Sequence, residues 1–227
     1  MKPAPELIVF DVDGVLVDVS RTFQRCTLET VRHFTGRRVR GSEVHQWKNR
    51  SGYNDDWRLT TDWIRKLGRR VPYEKVKRKY MEFYWGANGD GYVRGERWLV
   101  PAAALRRLAR RAELGLFTGR TREELRHTLA RFRTAKHFHA IVTHDDVSRT
   151  KPDPEGLLRI LDGRAPSTAL YIGDNVDDAL AARDASVAFV GVLPRGSEAR
   201  RVRSARLREL GALTILGRVS ELEAWLR

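Results

Sequence analysis

Short, almost continuous apolar runs recur along the chain at Leu7-Ile8-Val9-Phe10, Leu114-Gly115-Leu116-Phe117, Ala140-Ile141-Val142-Thr143, Ala169-Leu170-Tyr171-Ile172 and Val187-Ala188-Phe189-Val190, with a weaker one at Leu213-Thr214-Ile215-Leu216. Strands need apolar residues at consecutive positions only when both faces are covered, as they are in a parallel sheet. Helical patterns lie between the runs. Leu105, Leu108, Ala109 and Ala112 mark one helix face, and Leu125, Leu129 and Phe132 mark another that opens on the capping-box sequence Thr121-Arg122-Glu123-Glu124. Alternation of this kind predicts an α/β fold with a doubly wound parallel sheet.

One long segment breaks the alternation. From about Val17 to Arg97 no convincing strand occurs, while Phe23, Cys26, Thr27, Thr30, Val31 and Phe34 recur at helical spacing. Two further helices are expected, one from Asp55 through Trp57, Thr61, Ile64 and Leu67, the other from Tyr73 through Val76, Tyr80 and Phe83. Gly86, Gly89, Gly91 and Gly95 then cluster ahead of Trp98 and Pro101, which marks a hinge where the chain returns from one module to another. The predicted organisation is a discontinuous core, residues 1–16 and 98–227, with a mainly α-helical cap inserted at 17–97.

A chain of 227 residues suffices for such a core and a small second module. Its single cysteine, Cys26, excludes an internal disulfide and a thiolate zinc site, and fits a reducing compartment. With no apolar stretch near the ~20 residues of a spanning helix, a cytoplasmic protein away from the membrane is expected. The excess of 43 Lys and Arg over 29 Asp and Glu, +14 in all, admits a nucleic-acid partner, an anionic substrate or a solvated basic surface. Arg106, Arg107, Arg110 and Arg111, and the arginines from Arg195 to Arg208, are interleaved with apolar residues at helical spacing, which favours exposed helix faces.

Chemistry-bearing residues gather just beyond the strands. Phe10-Asp11-Val12-Asp13-Gly14-Val15-Leu16 puts two carboxylates past the first strand, at the edge of a parallel sheet where ligands collect. Phe117-Thr118-Gly119-Arg120 offers a hydroxyl and closely approaching backbone N–H groups for phosphate oxygens. Lys151-Pro152-Asp153-Pro154 supplies a fixed positive charge. Ile172-Gly173-Asp174-Asn175-Val176-Asp177-Asp178 adds acids that, with Asp11 and Asp13, make up the hard oxygen donors magnesium takes. Singly, each has a bland explanation as a turn, a solvent-facing lysine or a helix cap. Jointly, four polar motifs at successive strand ends converge on one edge, and a shared site follows.

In order, Asp11-Val-Asp13-Gly14-Val-Leu, Thr118-Gly119-Arg120, Lys151-Pro-Asp-Pro and Gly173-Asp174-Asn-Val-Asp-Asp178 resemble the four motifs of the haloacid dehalogenase superfamily. The inserted segment is similar to the helical cap of the branch that includes phosphoglycolate phosphatases and β-phosphoglucomutases. The resemblance implies a magnesium-dependent phosphatase acting on a small phosphorylated metabolite. Asp11 would attack phosphorus and form an aspartyl-phosphate. Asp13 would protonate the leaving oxygen and later take a proton from water. Thr118, Gly119 and Lys151 would bind the phosphoryl oxygens, while Asp11, Asp174 and the Asp13 backbone carbonyl would hold Mg2+. Asp178 would orient that shell, with Asp177 its one-residue alternative. A cap also implies opening and closing around the two half-reactions.

Dehalogenases of this fold lack the acid two places after the nucleophile, so Asp13 argues against that activity. A phosphomutase would keep the same core and is the alternative enzyme. The alternative of another class is a nucleic-acid-binding protein that uses the core as a scaffold; the intact motif set argues against it. Substrate choice is expected in the cap, at Gly52-Tyr53-Asn54-Asp55-Asp56-Trp57, with Asn54 and Trp57 as candidate contacts. Asn54 or Asp55 has the competing role of helix cap. Lys48, Arg50 and Arg58 flank that loop, and Arg120 is a candidate contact near the leaving group. His137 and His139 show no metal-like pairing.

Overall fold

The computed structural model describes residues 4–196 and 198–227. Along the chain run β1 (Leu7–Phe10), β2 (Val17–Asp18), α1 (Phe23–Thr35), α2 (Gly41–Lys48), α3 (Asp56–Lys66), α4 (Tyr73–Trp85), β3 (Arg97–Trp98), α5 (Ala102–Ala109) and β4 (Glu113–Phe117). There follow α6 (Arg122–Phe132), β5 (Ala140–Val142), α7 (Glu155–Leu161), β6 (Ala169–Gly173), α8 (Val176–Asp184), β7 (Ala188–Val192), α9 (Glu198–Glu209), β8 (Ile215–Leu216) and α10 (Leu222–Trp225). Two compact units result, Asp18–Arg97 and the remainder of the chain. No helix among the described residues is long and apolar enough to cross a membrane.

Among the described residues, six strands of the larger unit form one parallel sheet in the order β5-β4-β1-β6-β7-β8. After β1 the chain builds outward through β4 and β5, then crosses back to lay β6 on the other side of β1. That reversal makes the C-terminal end of β1 the switch point of a doubly wound sheet, where a crevice opens. Register brings the motif-bearing ends level: Phe10 lies opposite Leu116 on one side and Ile172 on the other.

The apolar runs of the inner strands are buried on both faces, whereas Ile141 on the edge strand β5 is exposed. Leu7 and Val9 join Leu157 of α7, Ala179 of α8 and Leu207 of α9 in one cluster, while Ile8 and Phe10, pointing the other way by the alternation of a strand, are equally inaccessible. Burying each such side chain stabilises by roughly 1.5–3 kcal/mol relative to exposure. The outermost run differs from expectation: of 213–216 only Ile215 and Leu216 are strand, and Leu213 is exposed at this sheet edge.

The smaller unit is helical, with a two-residue strand at each end, β2 and β3, which pair where the chain enters and leaves it. Nothing in the sequence pattern predicted either, because two residues cannot establish a period. The helix α2 was likewise unanticipated: it opens on glycine, and its buried anchors Val44 and Trp47 join Val31, Leu59, Trp63, Ile64 and Val76 in one cluster. A second cluster gathers Phe23, Cys26, Trp57, Tyr80, Tyr84 and Val93. Its two tyrosines keep their hydroxyls satisfied by donating to the Phe23 carbonyl and to Glu96 Oε1, at 2.9 and 3.0 Å.

In the cap loop, Trp57 is 6% exposed and packs inside the helical unit, with Lys77 Nζ 4.1 Å from the centre of its ring. Asp55 is the N-cap of α3, accepting from the Trp57 and Arg58 backbone N–H groups at 2.8 and 3.1 Å and from the Tyr73 hydroxyl at 3.0 Å. Asn54, half-buried, stands one residue before that cap. Lys48 pairs with Asp56 at 2.8 Å and Arg50 stacks over Trp47, so two of the three flanking cations are engaged within the unit. Replacing Asp55 by Ala is expected to lower stability by about 1–2 kcal/mol, read as a shift of the urea midpoint, with Asp55→Ser recovering most of it.

Candidate active site

Asp11 is the first residue past β1, and its backbone N–H donates to the Ile172 carbonyl of the neighbouring strand at 2.8 Å. The chain then turns sharply. Leu16 and Val17 both donate to the Val12 carbonyl, and Gly14 donates to that of Val17. At Gly14 φ is +77°, and a Cβ placed there would meet Asp174 Oδ2 at 2.4 Å. Only glycine satisfies both constraints, so this turn and the end of β6 close against each other at van der Waals distance.

Lys151 is the centre of the site. Its ammonium, 1% exposed, donates to Asp11 Oδ1 at 2.9 Å, Asp178 Oδ1 at 2.7 Å, Tyr171 Oη at 2.9 Å and the Phe117 carbonyl at 3.2 Å. The side chains and carbonyl it gathers come from the ends of β1, β4 and β6 and from the first turn of α8. Burial works against its charge, yet the Asp11 and Asp178 carboxylates outweigh burial and raise its pKa. Asp11 is held well above the ordinary carboxylate range, first by burial and then by Asp178, Asp13 and Asp174, with Lys151 acting in the opposite sense. Burial and the same acids push the Tyr171 hydroxyl up, so it stays protonated and donates to Asp178 Oδ1 at 2.8 Å.

Asp178 has no oxygen to spare. Its Oδ2 accepts from the Asp174 and Asn175 backbone N–H groups at 3.1 and 3.2 Å, closing a capping box with Asn175 at the start of α8. Of the two neighbouring acids, Asp178, fully buried, bonds Lys151. Asp11, Asp174 and Asp178 each present a carboxylate oxygen within 4.8 Å of the others. Against these three acids stands a single lysine, with Arg203 Nη1 reaching Asp174 Oδ2 at 3.6 Å. A set of hard oxygen donors carrying more negative charge than its partners fits a divalent cation of the magnesium type.

Thr118 and Gly119 follow β4, and Thr118 is 1% exposed. The Thr118 hydroxyl accepts from the Arg120 backbone N–H at 3.2 Å, which leaves its proton to donate elsewhere. Asp13 is not among the three converging acids. Its Oδ1 accepts from Arg120 Nε and Nη2 at 2.9 and 2.6 Å. Arg120, expected near the leaving group, is buried, and its guanidinium donates to Asp13 and to the Thr128 hydroxyl of α6. His137 and His139 lie at the opposite end of the sheet, beside Glu6, Arg110 and Glu113.

Two participants escaped the sequence reading. Tyr171 read as one more apolar strand residue, although a tyrosine in a fully buried run must find a partner for its hydroxyl. Glu124 read only as the third residue of a capping box; it is buried beside Arg120 and bonds the Thr121 backbone N–H and hydroxyl at 2.8 and 2.9 Å.

Comparison with known proteins agrees with this geometry. The model of the haloacid dehalogenase-like hydrolases matches residues 5–186. A Phytophthora nicotianae protein named imidazoleglycerol-phosphate dehydratase is 30% identical over 197 residues, covering 83% of this chain but only 43% of that protein's length. A phosphoglycolate phosphatase of Nitrosococcus oceani is 27% identical over 199 residues, 84% of each chain. Among solved structures, CbbY from Rhodobacter sphaeroides in complex with phosphate superposes with a TM-score of 0.70 over 96% of both chains at 20% identity, which speaks to the fold. The molecule is a hydrolase. It belongs to the haloacid dehalogenase-like family.

Burial lifts the Glu124 carboxyl from 4.5 to about 7, against the Thr121 bonds and Arg120, which favour its charged form. A carboxyl whose pKa is raised on folding contributes stability that is fully present below its unfolded value and lost as pH rises through the folded one. Unfolding free energy is therefore expected to fall by roughly 3 kcal/mol at most between about pH 4.5 and 8, and Glu124→Gln to flatten that slope in urea titrations.

Proposed function

We propose that the chain is a magnesium-dependent phosphatase that hydrolyses a small phosphomonoester through a phosphoryl group carried on Asp11. One observation carries the reading: the Asp11 carboxylate sits at the switch point of the sheet with Lys151 Nζ 2.9 Å from one oxygen and two further acids converging on it. A nucleophilic carboxylate needs its direction set, which the buried ammonium does, while also opposing the burial that favours the neutral form.

In this reading an Asp11 oxygen forms the new bond to phosphorus as the bond to the leaving oxygen breaks, and Asp13 gives that oxygen its proton. Water then attacks the same phosphorus, releasing phosphate and restoring the Asp11 carboxylate, while Asp13 takes the proton from the water. Thr118 through its hydroxyl, Gly119 through its backbone and Lys151 through its ammonium hold the phosphoryl oxygens. Asp11, Asp174 and the Asp13 carbonyl would hold magnesium, and Asp178, bonded at both oxygens, keeps the Asp174 turn in place. Bound there, magnesium supplies charge neutralisation for the acids and for the incoming phosphate. A small phosphorylated metabolite met in the cytoplasm is the substrate class that fits, in keeping with the phosphatase names among the relatives.

Purified protein with magnesium is expected to release inorganic phosphate from at least one ester in a panel of small phosphomonoesters. Chelation of the metal and Asp11→Asn should each lower release by 10³-fold or more, to background on the order seen when a covalent nucleophile is removed. Interconversion of sugar phosphates without phosphate release would point to a mutase, and turnover of no ester would sink the proposal.

A further inference from the structure

We infer that Arg120 is a positioning residue that aims the proton-transferring carboxylate of Asp13, an inference that rests on the phosphatase reading above. The guanidinium puts two donors, Nε and Nη2, on the same oxygen, Asp13 Oδ1, at 2.9 and 2.6 Å. Both bonds converge on one oxygen of the carboxylate. The exposure is graded accordingly: the Arg120 side chain is 0% accessible and that of Asp13 24%. Asp13 is thus gripped by a fully buried guanidinium while keeping part of its own surface accessible.

The grip is itself anchored at several points. Arg120 Nη1 donates to the Thr128 hydroxyl, which is fully buried on α6. The Arg120 backbone N–H donates to Thr118 Oγ1 at 3.2 Å, and its carbonyl accepts from His144 at 2.9 Å. Glu124, the other acid near the guanidinium, is engaged by the Thr121 backbone and hydroxyl. A planar fork held at its root and at its outer nitrogen has little freedom left, so the carboxylate on its remaining edge is restrained as well.

Neither simpler role accounts for this arrangement. A guanidinium with no accessible surface does not reach a substrate. A pair serving stability alone gains nothing from withdrawing an arginine fully from water to hold an acid that stays partly exposed, because desolvation opposes the attraction. Holding an acid-base group in a single orientation does require it, since proton transfer depends on placing the carboxyl oxygen within hydrogen-bond reach of the departing oxygen.

The test compares two esters that differ in their need for a proton. The p-nitrophenolate of p-nitrophenyl phosphate departs without protonation, whereas the alkoxide of an alkyl phosphate does not. For the full chain with magnesium, kcat/KM reports the steps through transfer to Asp11. Arg120→Met is expected to lower kcat/KM for the alkyl ester on the order of 10²-fold and that for p-nitrophenyl phosphate less than tenfold, with Arg120→Lys intermediate. Thr128→Val, which removes only the outer anchor, should show the same asymmetry to a smaller degree and guards against misfolding of the arginine variants. Equal losses on the two esters, or no loss on either, would overturn the inference while leaving the phosphatase reading intact. Failure of the unmodified protein to hydrolyse both esters would remove the reading and the inference together.

Discussion

The ammonium of Lys151, withdrawn from water between Asp11 and Asp178, is the interaction on which the rest of the site depends. A buried charge is tolerated only when its partners and hydrogen bonds are nearly complete, and here four acceptors surround a group with three protons. Those acceptors belong to β1, β4, β6 and α8. The strand order must therefore place β4 and β6 on either side of β1, and the register must bring their ends level, before the lysine can be accommodated at all.

The same economy of donors governs the neighbouring groups. Asp178 spends one oxygen on Lys151 and Tyr171 and the other on the backbone of Asp174 and Asn175, so one side chain ties the lysine to the turn that carries Asp174. Arg120 and Asp13 form a second ion pair, supported by Thr128, on the flank of the site. Gly14 allows the first turn to lie against Asp174 with no side chain intervening. Each arrangement fixes a carboxylate or the turn that carries one, which is what a site for a phosphoryl group and a cation requires.

Much of this was legible in the chain before folding. The inner strands announced themselves because a strand covered on both faces must be apolar at every position, a pattern that few other structures produce. The polar motifs stood out by contrast, as charged residues placed where such runs stop. Legibility failed where the period was too short or the role too dependent on neighbours. Two-residue strands have no period, and α2 opens on glycine. The burial of Trp57 was not legible, because a tryptophan beside a loop does not reveal which way its ring will turn. Nor does anything local to Arg120 show that Asp13, 107 positions away, will bond its guanidinium.

By itself, then, the order of residues determined the fold class and which acids, lysine and threonine stand just beyond the strands, because these follow from periodicity and from residue type. Tertiary structure alone decided the pairings: that Lys151 meets Asp178 rather than Asp177, that Tyr171 closes the same network, and that Arg120 turns inward to Asp13. Such choices join positions far apart in sequence and hinge on which hydrogen bonds remain unfilled once water has been excluded, a condition that exists only in the packed molecule.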